Sequence, residues 1–217
     1  QLVVHYSGEM LERPNGLWVQ LATHTAWLPV HEYGRQVPYR LTFHAPEQFV
    51  VTSVGALESE TTENGITTRV FETPPAPLVT FNVGEFDRFD TEPVGAPKLT
   101  VLVNEDAHRR LAGLVSDAGS FLSRGEDMVE VVARDLTNSF RFFSDVYGPT
   151  PTQQMVATEI PYSHGEAYDG LVMLAWSTFQ ASDEQGTNEM FRAHEVAHQW
   201  WGVSVRPATY RDRWLAE

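Results

Sequence analysis

Short apolar runs alternate with polar and turn-forming residues over roughly the first 90 residues of the chain. These runs are rich in β-branched and aromatic residues and are separated by Pro, Gly and Asn, which is typical of strands. The predicted strands are LWVQLA (17–22), YRLTF (39–43), FVVTSV (49–54), ITTRVF (66–71) and LVTFNV (78–83). Asn64 and Gly65 both tolerate the positive φ of a type I′ turn, so we predict a hairpin there. The pattern predicts an antiparallel β-sandwich.

The strand rhythm breaks at TEPVGAP (91–97), which we predict to be a linker with a domain boundary near Gly95. Beyond it, longer apolar runs and helical spacing indicate a mixed α and β region. The predicted elements there are a strand at 99–103, a helix from about Glu126 to Tyr147, and buried strands at 155–160 and 171–175. We therefore expect a β-rich domain over residues 1–95 and a second domain over residues 96–217.

The motif HEVAHQWWG, at residues 194–202, lies in a segment that we predict to be helical from 188 to 201. Its two histidines are four residues apart, so the imidazoles of His194 and His198 lie one above the other and can share one metal ion. Glu195 is offset by one position, so its carboxylate can reach a water beside the metal without being a ligand. The alternative is a buried helix that carries two histidines by chance and binds no metal.

The ends and the back of this helix are also predicted from the sequence. Thr187 or Asn188 can cap its start, and Gly202 can end it. Val196 and Trp200 point away from the two histidines, which implies that an apolar face packs against the core. Such a helix would hold a metal site rigidly.

Two histidines do not complete a zinc site, because zinc in hydrolases commonly takes three protein ligands and leaves one position open for water. Glu217, in WLAE at the end of the chain, follows His198 with 18 residues between them. It is the candidate third ligand. Because a terminal residue is poorly held, we expect this chain to be part of a longer enzyme.

HEVAHQWWG followed by WLAE resembles the zinc signature of the gluzincin metallopeptidases, in particular the alanyl aminopeptidase family. The resemblance implies a saddle-shaped β-domain followed by the first part of a thermolysin-like α+β catalytic domain. It implies one zinc ion per chain, bound by His194, His198 and Glu217, with Glu195 as the general base. The implied activity is peptide hydrolysis, most simply removal of N-terminal residues. The oxyanion-binding tyrosine of the family would lie beyond residue 217.

The chain departs from the family in the loop that holds the substrate amino group. The family has Gly-x-Met-Glu-Asn, whereas this chain has GEAYD at residues 165–169. Glu166 and Asp169 are candidates to bind the amino group from a shifted position, and His164 is a candidate substrate contact in the same loop. The following run, LVMLA (171–175), resembles the edge strand that binds the substrate backbone, and a plain core strand is the equal alternative.

Composition narrows the remaining possibilities. Acidic residues outnumber basic ones 29 to 15, giving a net charge of −14, which disfavours nucleic-acid partners. The absence of cysteine excludes disulfides and thiolate zinc sites. We find no signal peptide and no candidate membrane span. The other histidines lack partner spacing and are predicted to have no direct role: His5, His24, His31, His44 and His108.

Two alternatives to a zinc aminopeptidase stay open at this point. The altered loop at 165–169 favours either a binding or scaffold protein that keeps the fold without catalysis, or a thermolysin-type endopeptidase that needs no group for the substrate amine. The intact HExxH and Glu217 argue against the scaffold.

Overall fold

A computed structural model describes residues 3–13, 16, 18–21, 27–28, 35–115, 128–179 and 185–216, with the backbone alone at 111–115. Glu217, the predicted third ligand, lies outside the described residues, as do His24 and His31. Residues 17 and 22 of the first predicted strand lie outside them too.

Antiparallel strands dominate the first part of the chain, as the sequence predicts. They are β1 (Leu11–Glu12), β2 (Gln20–Leu21), β3 (Arg40–Pro46), β4 (Val50–Ser53), β5 (Ala56–Glu63), β6 (Ile66–Glu72) and β7 (Phe81–Gly84). They pair as β1-β2, β3-β6-β5 and β4-β7. The β5–β6 hairpin is confirmed, with φ of 53° at Asn64 and 75° at Gly65. The finer prediction, a saddle-shaped sandwich, stays a prediction.

A five-stranded mixed sheet follows. Its strands are β8 (Asp87–Thr91), β9 (Lys98–Val103), β10 (Gln154–Ile160), β11 (Glu166–Tyr168) and β12 (Leu171–Ala175), in the spatial order β11-β12-β10-β9-β8. The central β12, β10 and β9 are parallel, and the outer strands β11 and β8 run antiparallel to them. The segment 91–97, predicted to be a linker, therefore joins two neighbouring strands of one sheet. The division at residue 95 stays a prediction.

The edge strand next to the site is β11, so the prediction that LVMLA forms an edge strand is wrong. LVMLA is β12, and it lies between β10 and β11 with all five residues buried. Its side chains alternate between two clusters: Val172 and Leu174 contribute to one face of the sheet, and Leu171 and Met173 to the other. A strand covered on both faces has an uninterrupted apolar sequence, which is why the core alternative was correct.

Helices lie between and after the strands of this sheet along the chain. They are α1 (Glu105–Val115), α2 (Met128–Tyr147) and α3 (Thr187–Ala197), with 3₁₀ helices at Trp176–Phe179 and Tyr210–Ala216. Buried residues of α2 and α3 join those of β9, β10 and β12 in one apolar cluster. α2 confirms the predicted long helix, whereas α1 was not predicted. Within the part of the chain that the structure describes, no helix has the length and apolar character needed to cross a membrane.

Candidate active site

The helix that carries the HExxH motif begins and ends differently from the prediction. Its N-cap is Gly186, in the left-handed conformation (φ 73°) and without a side-chain capping bond, rather than Thr187 or Asn188. Glycine has no Cβ, so it adopts this conformation without steric cost. The regular helix ends at Ala197, and His198 is the C-cap. A turn follows and is closed at Gly202 (φ 104°), where the prediction placed the end.

His194 and His198 lie on the open face of α3, as their spacing predicts. Their rings are edge-to-face with centroids 4.7 Å apart, and the two Nε2 atoms are 3.2 Å apart. Two nitrogens that each lie about 2.0–2.1 Å from a tetrahedral zinc ion are separated by about 3.3 Å. The pair therefore has the spacing of two ligands to one zinc ion, and imidazole nitrogen is a donor that zinc accepts well.

The orientation of His198 is set by the turn that ends the helix. Its Nδ1–H donates to the backbone carbonyl of Trp201 at 3.1 Å. A carbonyl oxygen only accepts, so the hydrogen of a neutral His198 is on Nδ1 and the lone pair is on Nε2. Ligand histidines are commonly held in this way by a backbone carbonyl. The hydrogen bond to the turn after α3 therefore leaves the lone pair of His198 on Nε2, the atom that would bind a metal ion.

Glu195 differs from the two histidines in being buried, with 3% of its surface exposed. Gly165, just before β11, lies against it: a Cβ built on Gly165 would be 2.2 Å from Glu195 Oε1 and 2.8 Å from Cζ of Phe191. Any other residue at 165 would force the Glu195 carboxylate and the Phe191 ring to shift, whereas glycine lets the backbone lie close to them. The loop before β11 and the candidate general base are therefore in direct contact.

The back of α3 is fixed to the core by charge and by apolar packing. Arg192, 1% exposed, donates through Nη1 to Asp135 of α2 and through Nη2 to the carbonyl of Thr178. Val196 and Trp200 are buried in the cluster beneath the sheet, as predicted. The histidines thus project from a helix whose opposite face cannot shift without breaking a buried ion pair.

Two of the three predicted substrate contacts are brought together on β11 and the loop before it. Glu166 accepts a hydrogen bond from Tyr168 Oη at 2.9 Å, and His164 Nε2 lies 3.4 Å from its other oxygen. Burial raises the pKa of Tyr168, and the Glu166 carboxylate raises it further, so this hydroxyl stays protonated and donates. Asp169 lies apart, in the turn after β11, where its nearest described donor is Thr152 Oγ1 at 3.4 Å.

The predicted third ligand, Glu217, lies outside the described residues. No group of three or more His, Cys, Asp or Glu side chains suited to a metal occurs among the described residues, and Glu217 is not one of them. His194 and His198 are therefore the described part of the candidate centre.

Gly165 and Gln199, which contact this region, were not predicted from the sequence to shape it. Gly165 was named only as part of the divergent loop, and Gln199 was not singled out. A glycine at the start of a short strand was the available signal for a close approach of the backbone. Gln199 had no such signal, because its partners lie on another element.

The fold is similar to that of part of solved M1 zinc metallopeptidase structures. The M1 zinc metallopeptidase from Deinococcus radiodurans superimposes with a TM-score of 0.58 at 21% identity, covering 84% of this chain and 38% of that one. A variant of that enzyme bound to a Tyr-Ser-Ala substrate gives a TM-score of 0.57 at 24% identity, with the same coverage. No protein-family model and no curated protein sequence matches the chain. At this identity the likeness establishes the fold, and the chain spans 38% of the length of these structures.

Proposed function

We propose that this chain forms part of a zinc-dependent peptidase of the M1 metallopeptidase family, acting as an aminopeptidase. The observation that carries the proposal is the pair of His194 and His198 Nε2 atoms, 3.2 Å apart, with the buried Glu195 between them in sequence. A fold shared with M1 zinc metallopeptidases supports the same conclusion. Glu217 would be the third ligand.

Each residue has a separate role in the proposed reaction. Bound zinc would act as a Lewis acid and lower the pKa of water. Glu195 accepts a proton from the attacking water on its carboxylate and then transfers it to the leaving amine. Gly165 limits the positions that this carboxylate can take, because the backbone lies directly against Oε1. His198 is kept in the ligand tautomer by the carbonyl of Trp201.

The peptide substrate would bind along β11. This strand is at the edge of the sheet in the part of the chain described, so one side of its backbone is available for an added strand. The strand starts next to Glu195, because Gly165 immediately precedes Glu166. We propose Glu166 as the group that binds the substrate amino terminus, with Tyr168 and His164 holding its carboxylate in place.

An endopeptidase is the second candidate function, and the bonds of Glu166 favour it. Tyr168 and His164 already occupy one interaction with each of its oxygens. If these two interactions keep the Glu166 carboxylate from binding a substrate amine, no group at this position selects for a free amino terminus. β11 would then bind an internal stretch of a peptide equally well.

Fluorogenic peptides with free and with blocked amino termini, tested on the full-length protein, distinguish the candidates. We expect cleavage of the free form only, and we expect Glu195→Gln to reduce kcat by at least about 100-fold, since a general base contributes 10²–10⁴-fold. Glutamine keeps the shape of the side chain, so the variant should unfold at the temperature of the parent.

The other outcomes assign the function differently. Cleavage of the blocked peptide indicates an endopeptidase. Absence of cleavage of either peptide by zinc-loaded protein indicates a binding or scaffold protein.

A further inference from the structure

Gln199, the residue after His198, is completely buried, and its side chain crosses to the turn between β11 and β12. Its Nε2 donates to the carbonyl of Tyr168 at 2.9 Å, and its Oε1 accepts from the amide N–H of Gly170 at 3.0 Å. One side-chain amide therefore bonds a backbone acceptor and a backbone donor two residues apart. The N–H and C=O of one residue in a neighbouring parallel strand would make the same pair of bonds.

The backbone of the turn between β11 and β12 has little freedom to find other hydrogen-bond partners. Gly170 has φ of +67°, and a Cβ there would lie 2.8 Å from the carbonyl oxygen of Gln154. The carbonyl of Gly170 accepts from the N–H of Val156 on β10 at 2.8 Å. Gln199 thus supplies the partner for the N–H of a residue whose carbonyl is already bound to the sheet. Removal of the Gln199 side-chain amide would take this bond from the Gly170 N–H.

β11 is consequently held at both ends by α3 and the turn that follows it. At the start, Gly165 lies against Glu195. At the finish, Tyr168 and Gly170 are bonded to Gln199, four residues after Glu195. The strand is also paired with β12, and Tyr168 packs against a buried apolar cluster on the other face of the sheet.

We propose that Gln199 is a positioning residue that fixes the edge strand β11 relative to the zinc helix, and so determines how tightly the substrate backbone binds. This inference rests on the proposed function for its substrate, and on the described contacts for its geometry. Gln199 does not touch the substrate, and it acts through Tyr168 and Gly170.

Hydrogen exchange on the full-length protein tests the geometry without any activity. In the parent, the amide of Gly170 should be protected; rapid exchange of this amide would overturn the proposal without any variant. In Gln199→Met, which keeps the side-chain volume, we expect residues 165–170 to exchange at least about tenfold faster, because both hydrogen bonds from the Gln199 amide are lost. Gln153→Met is the matched control, because it makes the same chemical change at an exposed position.

Kinetics test the consequence for the substrate. In Gln199→Met, KM for a peptide long enough to lie along β11 should rise about tenfold while kcat changes less than about twofold, since uniform binding is lost. Zinc content should stay at that of the parent. A fall in zinc content with KM unchanged would mean that Gln199 acts through His198 instead, and would overturn the proposal.

The two proposals fail separately. If the parent hydrolyses no peptide, the proposed function is wrong, and the exchange rates still decide whether Gln199 fixes β11. If exchange at 165–170 is unchanged in Gln199→Met, the positioning role is wrong even in an active peptidase.

Discussion

Two of the histidine and glutamate groups in the described part of the chain are opposite in character. In the first, His194, Glu195 and His198 come from one short stretch of α3, and the imidazoles lie on its open face. In the second, His108 of α1 and Glu159 of β10 are 51 residues apart in sequence, and Glu159 is only 1% exposed. We refer to them as the open pair, His194 and His198, and the closed pair, His108 and Glu159.

The closed pair is surrounded by its own hydrogen-bond donors. His108 Nε2 lies 2.6 Å from Glu159 Oε2, while Oε1 accepts from Trp18 Nε1 at 2.8 Å and from the amide of Asn104 at 2.9 Å. The rings of Trp18 and Trp176 lie against the His108 imidazole. With both carboxylate oxygens bonded and aromatic rings around the histidine, this group joins the N-terminal segment, α1 and the sheet.

The contrast indicates what separates a candidate site from a structural one. The closed pair satisfies its buried carboxylate internally, as buried charges must. In the open pair, two imidazole nitrogens face each other 3.2 Å apart on an exposed helix surface, the spacing of two ligands of one zinc ion. Residue type alone does not distinguish them, and the surroundings do.

The largest expected effect is the loss of zinc binding when a histidine of the open pair is replaced. His198→Ala should lower zinc affinity by at least about 100-fold, since loss of an outer-shell partner alone costs 10–100-fold. The free energy of unfolding of metal-free protein should change by only about 1 kcal/mol, the worth of the bond from Nδ1 to Trp201. Elemental analysis and urea denaturation measure both.

His44→Leu provides the control for this experiment. His44 is exposed on β3, where it bonds Thr68, and its replacement should leave zinc content unaltered. If His198→Ala still binds one zinc ion per chain, the open pair is not the zinc site and is an ordinary pair of surface histidines.

A smaller effect, on stability rather than metal, is expected at the closed pair. His108→Leu leaves the Glu159 carboxylate buried without one of its donors, so the protein should lose about 2 kcal/mol of unfolding free energy. Zinc content should not change. The free energy comes from urea denaturation of metal-free protein, and a loss below about 0.5 kcal/mol, the range of surface substitutions, would contradict a structural role for the pair.

The two pairs also mark how far the sequence could lead. The open pair was predictable because its residues are four apart on one helix, so a single periodicity places them together. The closed pair was not, and His108 was assigned no direct role, because residues from α1, β10 and the N-terminal segment meet only through the tertiary fold. Gln199 escaped for the same reason.

The same distinction applies to the secondary structure. Apolar strands and the long α2 were predicted from their patterns, whereas β5 was missed because all of its residues, ALESETTE, are exposed and carry no apolar alternation. β11 has three residues, too few for any periodicity. The edge strand is β11, and LVMLA lies one position further into the sheet as β12. The order of strands in a sheet depends on their pairing, which the sequence of a single strand does not reveal.

The smallest expected effect dissects the closed pair itself. Trp18→Phe keeps an aromatic ring against His108 and removes only the Nε1–H that donates to Glu159 at 2.8 Å. Loss of one bond to a carboxylate should cost about 1.5–3 kcal/mol, reduced towards the lower value because the Asn104 amide still donates to the same oxygen. Double-mutant analysis with His108→Leu measures the coupling. If the two losses simply add, Trp18 and His108 stabilise Glu159 independently; a combined loss smaller than the sum is expected, because each donor matters only while the carboxylate stays in place.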